Sequence, residues 1–275
     1  MLAKIASFFN KSMPVRRGFG PLRFKGHSFL PTNWCHPFPL PPEDLIKVTG
    51  IQKKGNYRKE KEYFFRLLLD HSDLSPDHHF LDLGCGCGGM TAPLVRYLKN
   101  TSSYTGLDIQ QNMVDWALEN ITRRFPNFSF VWSDVHNSEY HRSGSHKPDS
   151  FYFPFKDGTF SFVLAKSLFT HMQPNGVENY LKEAARVLAP GGTMVSTYFL
   201  FDDLHMPEKK GSHDRPDFSH DGGDHRLGDR KYPDRAVAYR ASHILKLHER
   251  AGLKVSKVVN LFQPMVIAKK GSGCI

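Results

Sequence analysis

The residues best suited to chemistry in this sequence lie in one glycine-rich stretch. An apolar run, Phe80–Leu83, continues into the letters G-C-G-C-G-G at positions 84–89. Glycine is needed where the backbone turns sharply and approaches a ligand closely, because a Cβ atom would collide there. A buried strand that runs through such a turn into a helix is typical of a nucleotide-like ligand site. Gly84, Gly86 and Gly89 also satisfy G-x-G-x-x-G, so this stretch alone leaves a dinucleotide-dependent oxidoreductase open.

Three acidic residues at the ends of consecutive predicted strands favour a different ligand. Asp82 lies two residues before the first glycine, where its carboxylate would face a cationic sulfonium and amino group better than an anionic pyrophosphate. Asp108 ends the second strand and can accept both hydroxyls of a ribose, as it would in a dinucleotide enzyme. Asp134 follows the third strand, in position to accept an adenine amino hydrogen. This third acid is additional to the dinucleotide fingerprint.

Short apolar runs alternate with amphipathic segments from residue 57 onward. The predicted strands are Phe80–Leu83, Ser103–Ile109, Phe128–Trp132, Thr159–Lys166, Thr193–Leu200, Leu253–Leu261 and Met265–Lys269. The predicted helices are Tyr57–His71, Gly88–Lys99, Gln110–Arg124, Gly176–Leu188 and Ala238–Ala251. Pro190-Gly191-Gly192 is expected to stop a helix and form a turn. Alternation of this kind predicts an α/β fold with a doubly wound parallel sheet.

Charge divides the chain into an arm and a domain. The net charge is +10, yet no acidic residue precedes Glu43. Residues 1–42 are basic and rich in Pro and Phe, which predicts an irregular arm, and residues 43–275 form the domain. Two polar insertions interrupt that domain, at about 136–150 and 202–234, and we expect the second to be a loop or lid. We expect a soluble, cytoplasmic protein without a membrane span, with organelle targeting by the basic leader as the alternative.

Cysteine and histidine spacing excludes the common metal and disulfide frameworks. The four cysteines are too few and too scattered for a disulfide scaffold, which indicates a reducing compartment. Cys85 and Cys87 are one residue apart, whereas a zinc knuckle has a two-residue gap. The second insertion is dense in Asp and His, but hydrated loops commonly share that composition and its spacing follows no helix face. We therefore expect no metal site.

The sequence resembles the class I S-adenosylmethionine-dependent methyltransferases, especially the branch of the ubiquinone/menaquinone methylases. The resemblance covers roughly residues 57–200 and rests on D-x-G-x-G-x-G at 82–88, the acidic end of the second strand, and the segments 153–160 and 185–192. It implies a Rossmann-like seven-stranded sheet with a reversed last strand, and S-adenosylmethionine as cofactor. The cofactor-binding residues that it implies are Asp82, Gly84, Cys85, Gly86, Asp108, Ile109, Asp134, Val135, Ala165 and Lys166. The chain departs from the family at Ser161, where an Asp is usual.

His171 is the leading candidate for a catalytic base, because it follows the fourth strand and an imidazole titrates near neutrality. A purely structural role for this histidine stays open, and His136 and His141 are alternative bases. Tyr198, Phe199 and Phe201 either line an acceptor pocket or belong to the core. The Asp/Asn-Pro-Pro-aromatic motif of DNA amine methyltransferases does not follow the fourth strand.

These observations predict an S-adenosylmethionine-dependent methyltransferase that acts on a small-molecule or glycan-like acceptor rather than on nucleic acid. The alternative is a non-catalytic nucleotide-binding module that uses its basic arm and its insertions to contact protein or nucleic acid. The sequence leaves the oligomeric state open.

Overall fold

The computed structural model describes residues 38–51, 54–201 and 216–272. Its strands are β1 Phe80–Leu83, β2 Tyr104–Asp108, β3 Phe128–Trp132, β4 Phe160–Ala165, β5 Leu188–Thr197, β6 Phe199–Phe201, β7 His220–Asp221, β8 His225–Leu227, β9 Val237–Arg240, β10 Leu253–Val259 and β11 Met265–Lys270. Its α-helices are α1 Glu43–Val48, α2 Lys54–His71, α3 Thr91–Leu94, α4 Gln111–Ala117, α5 Pro174–Val187 and α6 Ala241–Arg250.

Seven strands form the central sheet, in the order β10-β11-β5-β4-β1-β2-β3. The pairs from β3 to β5 are parallel, whereas β11 is antiparallel to both β5 and β10. The predicted doubly wound sheet with a reversed last strand is therefore confirmed. The order reverses beside β1, so the carboxyl ends of β1, β2 and β4 meet at the point where ligands bind in open α/β sheets.

Apolar side chains cover both faces of this sheet. All four residues of β1 are buried, as expected for a central parallel strand. One face packs with α5 and α6, through residues such as Val177 and Ile244. The opposite face packs with α2 through Phe65 and Leu68. The two cores fix the sheet, and with it the strand ends that carry the predicted site. No helix in the described ranges is long and apolar enough to cross a membrane.

Two of the predicted helices are shorter than the sequence pattern suggests. The segment predicted as Gly88–Lys99 contains the four-residue helix α3 within a series of turns. The segment predicted as Gln110–Arg124 is α-helical only over α4 and continues as a π-helical turn at Leu118–Thr122. Tertiary packing of Ile121 and Leu94 in the core sets these ends, rather than helix propensity.

The expected turn at Pro190-Gly191-Gly192 lies within a strand instead. β5 begins at Leu188, which pairs with Phe160, and the register then shifts so that Thr193 pairs with Phe162. The intervening residues form an irregularity on this strand, where a proline without an N–H and a glycine with φ of +76° are tolerated. The prediction of a helix stop was correct, but the prediction that the strand starts only at Thr193 was wrong.

The second insertion is not simply a loop. Residues 202–215 lie outside the described residues, but residues 216–234 contain β7 and β8, which join β6 and β9 in a four-stranded sheet of order β6-β9-β8-β7. β8 pairs with β9, and β7 pairs with β8. This backbone pairing overrides the polar composition, since strands of two or three residues need few apolar side chains. The helix predicted from Ala238 accordingly begins at Ala241, after β9.

The arm of residues 1–42 is described only from Phe38. The Phe38 ring stacks on Phe125 with centroids 5.9 Å apart, and its carbonyl accepts a 3.1 Å hydrogen bond from Arg58 Nη2. The expectation of an irregular arm over residues 1–37 lies outside the described residues.

Candidate functional site

A cavity of about 200 Å³ lies at the carboxyl ends of β1, β2 and β4. Most of the predicted cofactor residues line it: Asp82, Gly84, Cys85, Gly86, Asp108, Ile109, Val135 and Lys166. His171 and His136 lie in the same wall. The structure therefore brings together the cofactor residues and two of the three candidate bases.

The backbone conformation of the turn at positions 84–86 requires glycine. Gly84 and Gly86 have φ angles of +72° and +53°, a region that side chains with a Cβ rarely adopt. Asp108 holds this turn, since its Oδ2 accepts a 2.7 Å bond from the Gly86 N–H and its Oδ1 a 2.9 Å bond from the Gln110 N–H. Burial raises the pKa of Asp108, and these N–H groups oppose the rise. Each carboxylate oxygen keeps a free lone pair for a ligand hydroxyl.

Asp82 is a buried carboxyl at the centre of the cavity floor. Its Oδ2 accepts a 2.7 Å hydrogen bond from the Tyr104 hydroxyl. Burial raises the pKa of Asp82 to about 7, although the Tyr104 bond works in the opposite direction. A carboxyl in such a place is stabilised as an anion when a cation lies beside it. The residue therefore suits the cationic end of the implied cofactor.

The sequence analysis missed a half-buried charge cluster beside Asp82, apart from Lys166. Glu60 on α2 forms ion pairs with Lys166 Nζ at 2.6 Å and with Lys61 Nζ at 2.8 Å. Burial alone would raise the pKa of Glu60, but the two ammonium groups lower it to about 2. Burial also lowers the pKa of Lys166. One carboxylate between two ammonium groups leaves an excess positive charge at the cavity wall, which suits a carboxylate ligand.

Two predicted cofactor residues are not part of the cavity wall. Ala165 is fully buried in the core beneath it. The Asp134 carboxylate instead accepts hydrogen bonds from Ser145 Oγ and lies 2.7 Å from His141 Nε2, both within the first insertion. These two bonds lower the pKa of Asp134. The side chain predicted to meet the adenine is thus engaged by its own loop, while its neighbour Ser133 lines the cavity.

His171 lies on a 3₁₀ turn, Phe169–His171, and lines the cavity. Its Nδ1 is 3.2 Å from the carbonyl oxygen of Asp234, and since a carbonyl only accepts, Nδ1 carries the hydrogen. Its Nε2 therefore keeps a lone pair, 3.5 Å from the Tyr140 hydroxyl. Burial lowers the pKa of His171 and raises that of Tyr140 to about 12. At neutral pH the imidazole is uncharged and basic.

The two insertions meet around this histidine. The Ser138 N–H donates to Asp234 Oδ2 at 2.8 Å, and the Asp234 N–H donates to Ser138 Oγ at 3.2 Å. The Asn137 amide donates to the carbonyl of His171 at 2.8 Å. A residue 63 positions further along the chain thus sets the tautomer of His171, and sequence patterns carry no signal for such a contact.

The remaining predicted positions have structural roles. Tyr198, Phe199 and Phe201 are buried and do not line the cavity, which favours the core alternative. The hydroxyl of Ser161, the position at which the sequence departs from the family pattern, accepts a hydrogen bond from the His79 N–H at 2.9 Å. Among residues 38–51, 54–201 and 216–272, no three His, Cys, Asp or Glu side chains are placed to hold a metal ion.

Comparison with known proteins agrees with this geometry. Residues 80–192 match the family model described as a methyltransferase domain. A probable cobalt-precorrin-6B C(15)-methyltransferase of Thermoplasma acidophilum is 34% identical over 99 residues, which cover 34% of this chain and 49% of that protein. The methyltransferase GfsG of Streptomyces halstedii is 28% identical over 127 residues, or 46% of this chain and 40% of that protein. The chain spans less than half the length of these relatives.

Solved structures share the fold of most of this chain. A SAM-dependent methyltransferase from Aquifex aeolicus is 17% identical, covers 82% of this chain and 98% of its own, and superimposes with a TM-score of 0.53. That likeness concerns the fold, and the relatives do not single out the ubiquinone/menaquinone branch. Residues 80–192 therefore contain a methyltransferase domain, and the chain has the fold of the S-adenosylmethionine-dependent methyltransferases.

Proposed function

We propose that this protein transfers the methyl group of S-adenosylmethionine to an uncharged hydroxyl of a small-molecule or glycan-like acceptor. The observation that supports this best is His171, a buried neutral imidazole whose hydrogen is held on Nδ1 and whose basic Nε2 lies at the cavity. A hydroxyl has a high pKa, so its oxygen attacks efficiently only when a base takes its proton. An imidazole of lowered pKa can act as that base at neutral pH.

The cofactor half of the cavity has groups of the required charge for each part of S-adenosylmethionine. Asp82 would bind the amino group and Lys166, with Lys61, the carboxylate of the methionine portion. Asp108 has free lone pairs for the ribose hydroxyls, beside the N–H bonds that hold the turn. The sulfonium of this cofactor supplies an activated methyl group.

The acceptor side is uncharged, which supports a neutral acceptor. The cavity residues not assigned to the cofactor include several without a carboxylate, ammonium or guanidinium group: His136, Asn137, Tyr140, Pro148, Leu168, Met172 and Tyr180. A phosphate or carboxylate on the acceptor would lose its hydration there without a cation to replace it. The charged side chains that line the cavity, Lys61, Asp82, Asp108 and Lys166, are those assigned to the cofactor.

The residues of this chain then act by position and by proton transfer. The acceptor hydroxyl replaces the Tyr140 hydroxyl as the hydrogen-bond donor to His171 Nε2, which aligns the oxygen and receives the proton as the new O–C bond forms. The Asp234 carbonyl orients the ring and accepts from the Nδ1–H of the imidazolium that results. The apolar wall of Leu168 and Met172 excludes water from the reacting oxygen.

A product-release screen tests the proposal. The full chain is incubated with S-adenosylmethionine and pools of neutral alcohols, phenols and sugars, matched with pools of amines, carboxylates and phosphate esters, and S-adenosylhomocysteine release is measured. We expect turnover with a neutral hydroxyl pool. Turnover confined to amine or phosphate pools would refute the acceptor class. Binding of S-adenosylhomocysteine without turnover on any pool would favour the non-catalytic module.

Binding at the cofactor half has its own expected result. S-adenosylhomocysteine should raise the melting temperature of the protein, because a ligand that binds the native state stabilises it, whereas NAD should leave it unchanged. Asp108→Ala removes the acceptor of both the ribose hydroxyls and the Gly86 N–H, so affinity for S-adenosylhomocysteine should fall about ten- to hundredfold. Calorimetry that finds equal affinity in parent and variant would remove Asp108 from the site.

A further inference from the structure

Ser167 is the one non-glycine residue in the described ranges with a left-handed backbone conformation, at φ of +57°. It directly follows β4 and lines the cavity. A side chain with a Cβ adopts this conformation only at a cost. Such residues persist where the surrounding structure holds them in place, and they concentrate at functional sites.

Three hydrogen bonds hold Ser167 in this conformation. Its N–H donates to Thr197 Oγ1 at 2.8 Å, its hydroxyl donates to Gln263 Oε1 at 2.8 Å, and its carbonyl accepts from Thr170 Oγ1 at 2.7 Å. The Thr197 hydroxyl in turn donates to the same Gln263 Oε1 at 3.0 Å. One amide oxygen in the turn between β10 and β11 therefore accepts both hydroxyls that restrain this backbone.

The conformation of Ser167 determines where its two neighbours lie. Lys166 extends to Glu60 at the cofactor end of the cavity. Leu168 packs against the glycine turn so closely that a Cβ on Gly84 would be 3.2 Å from Leu168 Cδ1. A relaxation of Ser167 to a right-handed or extended conformation would displace both contacts, because the chain direction changes between them.

We propose that Gln263 is a positioning residue for the cofactor site and acts through Ser167. It lies 71 residues beyond the end of the matched methyltransferase domain at residue 192 and does not itself line the cavity. Its amide oxygen keeps the left-handed turn in place, and the turn presents Lys166 and Leu168 to the cofactor. This inference rests on the cofactor half of the cavity and is independent of the acceptor and of His171.

The test is a matched pair of substitutions in the full chain. Gln263→Met keeps the length of the side chain but removes the acceptor, whereas Gln263→Glu keeps an oxygen that accepts both hydroxyls. By calorimetry, S-adenosylhomocysteine should bind about tenfold more weakly to Gln263→Met and within about threefold of the parent to Gln263→Glu. Phe262→Ala, at an exposed neighbour in the same turn, is the control and should bind like the parent.

The same substitution made in a Ser167→Gly variant distinguishes a positioning role of Gln263 from a general effect on stability. Ser167→Gly adopts the left-handed conformation without strain, so in that background Gln263→Met should weaken binding less than about threefold. The proposal is overturned if Gln263→Met binds S-adenosylhomocysteine like the parent. It is also overturned if Gln263→Met loses the same affinity in the parent and in the Ser167→Gly background and Gln263→Glu does not restore that affinity. Binding is compared with the melting temperature of each variant without ligand, since a merely structural loss would lower both in parallel.

Discussion

Asp82→Asn should stabilise the protein without ligand and at the same time weaken cofactor binding. Burial holds the pKa of Asp82 at about 7, against about 3.9 in an unfolded chain. Between about pH 4 and about pH 7 this carboxyl is ionised in the unfolded chain but stays protonated in the folded protein. The free energy of unfolding of the parent therefore falls as the pH rises over that range. The uncharged amide carries no such cost, and it still accepts the Tyr104 hydroxyl.

The expected result is therefore dependent on pH. Near pH 4 parent and Asp82→Asn should melt together, and at pH 8 the variant should melt about 5 °C higher. Affinity for S-adenosylhomocysteine should fall about ten- to hundredfold at pH 8, because a charged partner of the amino group is lost. Asp115→Asn, an exposed acid on α4, is the control for loss of one negative charge. A lower melting temperature for Asp82→Asn at pH 8 would contradict this account of the site.

His171→Ala should lower turnover about a hundredfold or more and leave affinity for S-adenosylhomocysteine nearly unchanged. The lone pair of Nε2 is the base that the proposed reaction requires, and His171 is not among the residues assigned to the cofactor. Single-turnover rates on the acceptor found in the screen, with calorimetry on the same samples, measure the two effects. Added imidazole should restore part of the lost rate.

Two comparisons make this assignment specific. His171→Gln has an amide hydrogen for the Asp234 carbonyl but no base, so its rate should be as low as that of His171→Ala. Burial lowers the pKa of His171 from its usual 6.5, so the rate of the parent should fall as the pH decreases through that lowered pKa. The His171→Ala and His171→Gln variants should not show this decrease. A larger loss in His136→Ala, or equal losses of affinity and rate in His171→Ala, would move the base elsewhere.

The strands and the glycine turn could be predicted because their signals are local. Phe80–Leu83 is predicted with its observed bounds, since a buried parallel strand is a continuous apolar run. The same reasoning failed at β9, where Val237–Arg240 is a strand only because Leu227 and its neighbours on β8 pair with it. Backbone pairing between distant segments leaves little trace in the residues of either one.

The site residues that could be predicted are likewise those whose signal is local in the sequence. Asp82 and Asp108 lie at the ends of strands in a recognisable pattern. Glu60 and Lys61 instead resemble the solvated face of a helix, and their role is visible only in the fold, where Lys166 contacts Glu60. Asp134 was placed correctly at the end of β3, but its engagement by His141 and Ser145 depends on the conformation of a loop. Gln263 lies in a turn with no motif at all.

The contacts that hold the two halves of the cavity join residues at very different separations along the chain. Gly86 and Asp108 are 22 residues apart, whereas Ser138 and Asp234 are 96 apart. Contacts between near neighbours in the chain close quickly, and those between distant segments close slowly. During synthesis, a nascent chain that has emerged as far as β5 already contains the glycine turn and its carboxylate, but the carbonyl that orients His171 has not yet been made. The carboxylate that holds the glycine turn is thus synthesised before the carbonyl that orients His171, and Gln263, which acts on Lys166 and Leu168 through Ser167, is synthesised after both.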